Sequence, residues 1–312
     1  MKLAFLYAGQ GSQRVGMGHD FYEEYPLFRK TFDSADPGFD LKKTCFMGPA
    51  DTLSRTRYTQ PCMLAFAAGV TALLFDAGIT PAMAAGLSLG EYAALHAAGA
   101  LDYPTALALI AFRGRVMEEA VVDRPSAMAA VIQFDTGAME KICHDVAGIG
   151  VCEIANYNCP GQFVIGGDRA AVTAAAELAE SQGARRCVPL NVSGPFHTSL
   201  MAPAAEALRE RFRDISFGDM RFPVLFNCLG DFMREGDTIP DLLARQVCSS
   251  VYMEDIIRRM EACDVDAVVE IGPGKTLSGF VRKTARGMRV FPIDSAADFA
   301  ALLPVLKEAC IA

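Results

Sequence analysis

Residues 82–99 read AMAAGLSLGEYAALHAAG, and the fold turns on this stretch. Gly86-Leu87-Ser88-Leu89-Gly90 is a G-x-S-x-G pentapeptide. A short apolar run, Pro81 to Ala85, precedes it, and a run rich in helix formers, Glu91 to Ala98, follows. Strand, sharp turn and helix in that order are the setting of a nucleophile elbow. A serine hydroxyl is a weak nucleophile unless a turn holds it out, beside a base, at a helix N-terminus. Glycines two before and two after the serine let the backbone turn tightly and approach its neighbours. The pentapeptide alone also fits a plain strand-to-helix turn with serine as N-cap.

On both sides of the elbow, apolar strands alternate with helices. Lys2 to Tyr7 reads as a buried strand, followed by the glycine-rich loop GQGSQRVGMG at 9–18. That loop is not a dinucleotide fingerprint, because Arg14 stands where the third glycine belongs. It fits either a plain turn or a loop whose backbone N–H groups face a ligand. Helical spacing covers 20–32 and 59–76, the second with a start at Thr59-Gln60-Pro61, and Asp102-Tyr103-Pro104 opens a helix to about Ala120. From 126 to 190 the pattern becomes βαββαβ, with Asn158-Cys159-Pro160-Gly161 between the middle strands, which is the ferredoxin-like split unit. Helices are expected at 198–213, 239–248, 253–262 and 296–309, and strands at 223–227, 267–271 and 289–293. Gly272-Pro273-Gly274-Lys275-Thr276 resembles half a phosphate loop, but Val269 occupies the place of the first glycine. The fold class is therefore α/β: a large α/β-hydrolase-like domain with a parallel sheet, plus an inserted small ferredoxin-like α+β subdomain. Residues 1–124 and 192–312 form the large domain, and 125–191 the small one.

Composition narrows the function. The 312 residues are 52% hydrophobic and 21% charged, which is globular and not disordered. Uninterrupted apolar runs fall short of the roughly 18 residues of a membrane span, and the apolar N-terminal run, Leu3 to Ala8, is too short for a signal peptide. Ten scattered cysteines without a C-x-x-C pair speak for reduced thiols in a cytoplasmic protein, against both a disulfide framework and a zinc site. A net charge of −8 argues against nucleic acid as the main partner.

Ser88 needs a base, and the chain has four histidines. His96 follows eight residues later on the same helix, about 12 Å along the axis and out of hydrogen-bond reach. His144 falls on a charged helix of the inserted unit. His19, after the glycine-rich loop, stays a candidate. His197, on the short loop Gly194-Pro195-Phe196-His197 before a helix, is better placed to project into a cleft, although a packed or surface histidine also fits. A simple α/β-hydrolase fits poorly: the acid between serine and histidine, Asp168, lies in the inserted unit, and more than a hundred residues follow His197.

Taken together, Gly9-Gln10-Gly11-Ser12-Gln13, Gly86 to Glu91, Arg113-Gly114, Asn156 to Gln162, Gly194 to His197, Arg245-Gln246 and Glu270 to Lys275 carry a resemblance. In their order and spacing the chain resembles the malonyl-CoA:acyl carrier protein transacylases of bacterial fatty acid synthesis, over essentially its whole length. The resemblance implies that Ser88 carries the malonyl group as an ester, between coenzyme A and the phosphopantetheine thiol of acyl carrier protein. His197 would be the base, oriented by the backbone carbonyl of Gln246. The N–H groups of Leu89 and Gln10 would form the oxyanion hole, each donor worth about 2.7–4 kcal/mol in the transition state. Arg113 would clamp the free carboxylate of malonate, while Arg115, two residues on, points elsewhere. Phe196 would limit room for an α-methyl branch, a selection of order 1–3 kcal/mol. Coenzyme A enters as a thioester substrate, no cofactor or metal is implied, and a monomer is expected.

One departure lies inside the motif: Leu87 stands where many members have histidine. Because the carrier protein is acidic, a basic surface is expected near the cleft mouth, with Lys275, Arg282, Lys283 and Arg286 as candidates. Three other readings remain: an acyltransferase serving a polyketide synthase in trans, a serine hydrolase or thioesterase, and a silent binding module. Arg113 argues against the hydrolase, and the intact Ser88, His197 and Arg113 set against the silent module.

Overall fold

The computed structural model describes residues 1–121 and 124–311. Its strands are β1 (Leu3–Tyr7), β2 (Met83–Gly86), β3 (Ser126–Ile132), β4 (Cys152–Cys159), β5 (Gln162–Asp168), β6 (Arg186–Pro189), β7 (Leu225–Phe226), β8 (Asp231–Phe232), β9 (Val251–Tyr252), β10 (Ala267–Ile271) and β11 (Arg289–Ile293). Four of them make a parallel sheet in the order β11-β10-β1-β2. Alternate residues of β1 enter opposite cores: Leu3, Phe5 and Tyr7 one, Ala4 and Leu6 the other. A strand covered on both faces must be apolar throughout, which is why LAFLY carries no alternation. Tyr7 pairs with Gly86 at the C-terminal end of β2, so the elbow leaves the sheet beside the glycine-rich loop that follows β1. An isolated parallel bridge between Ala84 and Val224 continues the sheet past β2; the strand expected over 223–227 shortens to β7.

The inserted unit folds as a second sheet in the order β6-β3-β5-β4. The helices Thr136–Asp145 and Arg169–Ser181 cover one face, through Met139, Ile142, Ala171, Val172 and Ala175 against Phe163 and Ile165. A fifth strand comes from elsewhere in the chain: β9 pairs in parallel with β4, Asn156 opposite Val251 and Tyr157 opposite Tyr252. Ser250 Oγ donates to the Ile154 carbonyl at 2.6 Å, and the Tyr157 and Tyr252 rings stack at 5.2 Å.

Several boundaries differ from the sequence reading, mostly at prolines. The helix expected over 20–32 is two, His19–Glu24 and Pro26–Asp33. Tyr25 between them is extended, as the residue before a proline is driven to be. The helix expected from Thr59 begins at Thr56, so Pro61 lies inside it and withholds the N–H that the Arg57 carbonyl would have met. This helix, Thr56–Asp76, is long and apolar enough to cross a membrane, but 83% of its apolar window is buried in the protein. Asn158 and Cys159, expected in a loop, belong to β4; only Pro160 and Gly161 turn the chain, and irregular register at Ile154/Asn156 and Tyr157/Cys159 absorbs the extra length.

Candidate active site

At the elbow, Ser88 has φ 53°, a left-handed backbone that costs a non-glycine residue about 1–3 kcal/mol. The flanking glycines are there for contact, not for unusual φ. A Cβ on Gly86 would lie 2.0 Å from the Gly90 carbonyl carbon, and one on Gly90 would lie 2.4 Å from the Tyr7 oxygen. Ser88 does not cap the following helix, Gly90–Ala98; Leu89 is the N-cap residue and no side chain caps it. The serine hydroxyl is committed elsewhere.

His197 Nε2 lies 2.7 Å from Ser88 Oγ, and His197 Nδ1 lies 2.8 Å from the Gln246 carbonyl oxygen. A carbonyl only accepts, so Nδ1 carries the proton and Nε2 is left to accept from the serine. His197 also sits in the left-handed region, at φ 62°. Burial, with Arg113 adding to it, pulls its pKa down to about 4, so the imidazole is neutral and ready to take a proton. Of the other histidines, His96 meets the Leu101 carbonyl at 3.1 Å, His19 is exposed beside Glu23, and His144 lies in the last turn of its helix.

Arg113 is completely buried. Its Nη2 donates to Ser88 Oγ at 3.0 Å and to Gln246 Oε1 at 2.9 Å, and its Nη1 donates to Gln60 Oε1 at 2.8 Å. Its Nε has no partner among the described residues, and the guanidinium lies 5.6 Å from the centre of the Tyr92 ring. Burial lowers its pKa, opposed by Tyr92 and Glu91; a guanidinium starts so high that it keeps its charge. Arg115 instead lies on the surface, 3.4 Å from Glu119.

Of the remaining predicted residues, Gln10 and Phe196 line one cleft of about 270 Å³ with Ser88 and His197, while Leu89 and Gln246 are buried and do not line it. Gln10, Leu87, Phe196 and His197 line one side of it, and Met128, Asn156, Asn158 and Val164 of the second sheet line the other. Among the described residues the backbone N–H groups of Gln10 and Leu89 donate to nothing, which leaves both free for an oxyanion. The Gln10 side chain is held by Thr56 Oγ1 at 3.1 Å. Phe196 is buried to 7% exposure at the cleft wall. Leu87 packs so closely on the glycine-rich loop that a Cβ on Gly9 would come within 3 Å of it. Lys275, Arg282, Lys283 and Arg286 are all exposed, and Lys283 Nζ donates to Gln162 Oε1 at 3.0 Å at the mouth.

Three participants escape the sequence reading. Gln60 holds Arg113, the Gln246 side chain holds both Arg113 and, through Nε2, the Ser88 carbonyl at 3.0 Å, and Asn227 reaches the elbow from behind. The available signal is a polar residue inside an apolar run, as in Thr59 to Val70 and Val224 to Leu229.

A neutral imidazole on a serine, a buried cation beside that serine and two free N–H groups suit acyl transfer through an ester. Comparison with known proteins agrees. Residues 4–308 match the acyl transferase domain family. The malonyl CoA-acyl carrier protein transacylase of Bacillus subtilis is 41% identical over 310 residues, 98% of each chain. The crystal structure of the Clostridium perfringens malonyl CoA-acyl carrier protein transacylase superposes with a TM-score of 0.95 at 35% identity, covering 100% of this chain and 99% of that one. A malonyl-transacylase solved with its type II polyketide synthase acyl-carrier protein superposes at 0.94 with 33% identity, covering 98% of this chain and 100% of that one. This chain belongs to the acyl transferase domain family and, within it, to the malonyl CoA-acyl carrier protein transacylases.

Proposed function

We propose that this chain moves the malonyl group from malonyl-CoA to the phosphopantetheine thiol of acyl carrier protein, through an ester on Ser88, and so supplies malonyl groups for fatty acid synthesis. Ser88 Oγ attacks the thioester carbonyl while His197 Nε2 takes the hydroxyl proton. Negative charge on the former carbonyl oxygen is met by the Gln10 and Leu89 N–H groups. When the C–S bond breaks, His197 returns its proton to the coenzyme A sulfur. In the second half His197 takes the proton of the carrier's thiol, the thiolate attacks the ester, and Ser88 recovers its proton. Every group required is in the chain or the substrates, so the reaction needs no cofactor.

The observation that carries the malonyl reading is the placement of Arg113. The free carboxylate of a malonyl ester is three bonds from Oγ, and a buried guanidinium 3.0 Å from that same oxygen is within its reach. We take residues 1–124 and 192–312 as the catalytic unit and 125–191 as an insertion that walls its cleft, in keeping with the β6-β3-β5-β4 order. Incubation with malonyl-CoA, digestion and mass spectrometry test the proposal. A malonyl adduct on the Ser88 peptide, absent from Ser88→Ala and discharged by holo acyl carrier protein, is expected. Rapid release of free malonate without the carrier would mark a hydrolase instead.

A further inference from the structure

Asn227 follows β7, is fully buried and does not line the cleft, and no step of the proposed transfer uses it. Its side chain spends both ends on the elbow. Oδ1 accepts the Ser88 N–H at 2.6 Å, and Nδ2 donates to the Gly86 carbonyl at 2.7 Å. Its own N–H donates to Glu91 Oε2 at 2.6 Å, one turn beyond the serine. Its carbonyl accepts the Tyr252 N–H at 2.9 Å. One residue thus grips the backbone before the nucleophile, the nucleophile itself, and the helix that leaves it.

We infer that Asn227 is a positioning residue for Ser88, with Glu91 as its anchor. The Ser88 backbone is left-handed and its side chain does not cap the helix; locally its carbonyl meets the Glu91 N–H at 3.1 Å, but among the described residues its own N–H is held only by Asn227. A primary amide is the side-chain group that can accept from the Ser88 N–H and donate to the Gly86 carbonyl at once. Together these bonds set the angle at which Oγ meets His197 and at which the Leu89 N–H faces the cleft. Glu91 is buried without ion pairing to a surface cation; burial pushes its pKa up to about 8, with the Asn227 N–H the first of the groups opposing that rise. An anchor of this kind, held where a carboxyl is uncomfortable, fits a fixed role for the Asn227 backbone.

The inference rests on Ser88 being the nucleophile of the proposed transfer, and the test separates the two. Asn227→Ala is compared with wild type by steady-state transfer, by thermal melting, and by the rate at which a fluorophosphonate probe labels Ser88. The probe needs no malonyl group, so it reads nucleophile placement even if wild type were to transfer no malonyl. Expected is a folded variant with KM for malonyl-CoA within about twofold of wild type. Its kcat and labelling rate should fall together by about ten- to a hundredfold, the scale of a reacting atom displaced by an ångström. Labelling within twofold of wild type, or a loss confined to KM, overturns the inference. If Asn227→Ala does not fold, Asn227→Asp keeps the volume and the acceptor for Ser88 N–H but sets a carboxylate against the Gly86 carbonyl; the same two readouts then decide.

Discussion

Replacing Arg113 by alanine separates a carboxylate clamp from a general aid to the serine. In the malonyl ester the substrate's free carboxylate would be buried with Arg113 as its cation. Deleting one member of a buried charged pair costs about 3–5 kcal/mol, because the other is left uncompensated. At about 1.4 kcal/mol per tenfold, malonyl loading should slow by roughly a hundred- to a few thousandfold. An acetyl group has no carboxylate and loses only the Nη2 bond to Ser88 Oγ, a charged hydrogen bond worth about 1.5–3 kcal/mol. At mid-range values the malonyl-to-acetyl preference should therefore drop by about 1.75 kcal/mol, or roughly twentyfold. Quenched-flow loading from malonyl-CoA and acetyl-CoA, followed by intact-protein mass, measures both. Arg113→Met, which keeps more of the buried volume, controls for collapse around Gln60 and Gln246. Equal loss for the two acyl groups would refute the clamp and leave Arg113 as a stabiliser of the serine alone.

Three further outcomes are expected. His197 is the working base when neutral and its pKa is lowered to about 4, so kcat/KM should hold as pH falls and decline only through about 4; an acid limb near the ordinary imidazole value of about 6.5 contradicts the buried base. Gly86→Ala puts a Cβ 2.0 Å from Gly90 backbone that has no rotamer to yield, and should abolish loading and lower the denaturant midpoint by the equivalent of about 3 kcal/mol or more; a wild-type midpoint would show that the elbow relaxes. Lys283→Glu reverses an exposed charge at the cleft mouth and should slow discharge to acyl carrier protein several-fold while sparing loading from malonyl-CoA; equal loss in both half-reactions removes this face from carrier docking.

The layout of strands was legible because the buried strands read as short apolar words: LAFLY at β1 is unbroken, and AVVEI at β10 is interrupted only by Glu270. The inserted sheet was legible from its strand and helix order. Boundaries slipped where one proline could be read two ways. Pro26 broke a helix that spacing alone continued, while Pro61 was absorbed by a helix that the sequence reading started at Thr59. The family resemblance pointed to Ser88, His197 and Arg113, and the geometry brings them together. Gln60 and Asn227 were not legible, because their meaning lies in what they face. Positions 60, 113, 227 and 246 lie far apart in the chain and meet around Ser88; a polar residue in an apolar run marks Gln60 and Asn227 as unusual, but not which group more than fifty residues away each one faces.

The pairing of β9 with β4 has a consequence for how the cleft is held together. Because Val251 and Tyr252 are rungs of the same sheet as Asn156 and Tyr157, the wall that faces the serine is stitched into the body that carries it. The Tyr252 N–H extends the stitching to Asn227, and so to the elbow. Swinging that wall outward would unzip a ladder, not merely bend a linker. Phe196 and Val164, which both line the cleft, thus belong to elements joined by backbone hydrogen bonds and not by a bare linker.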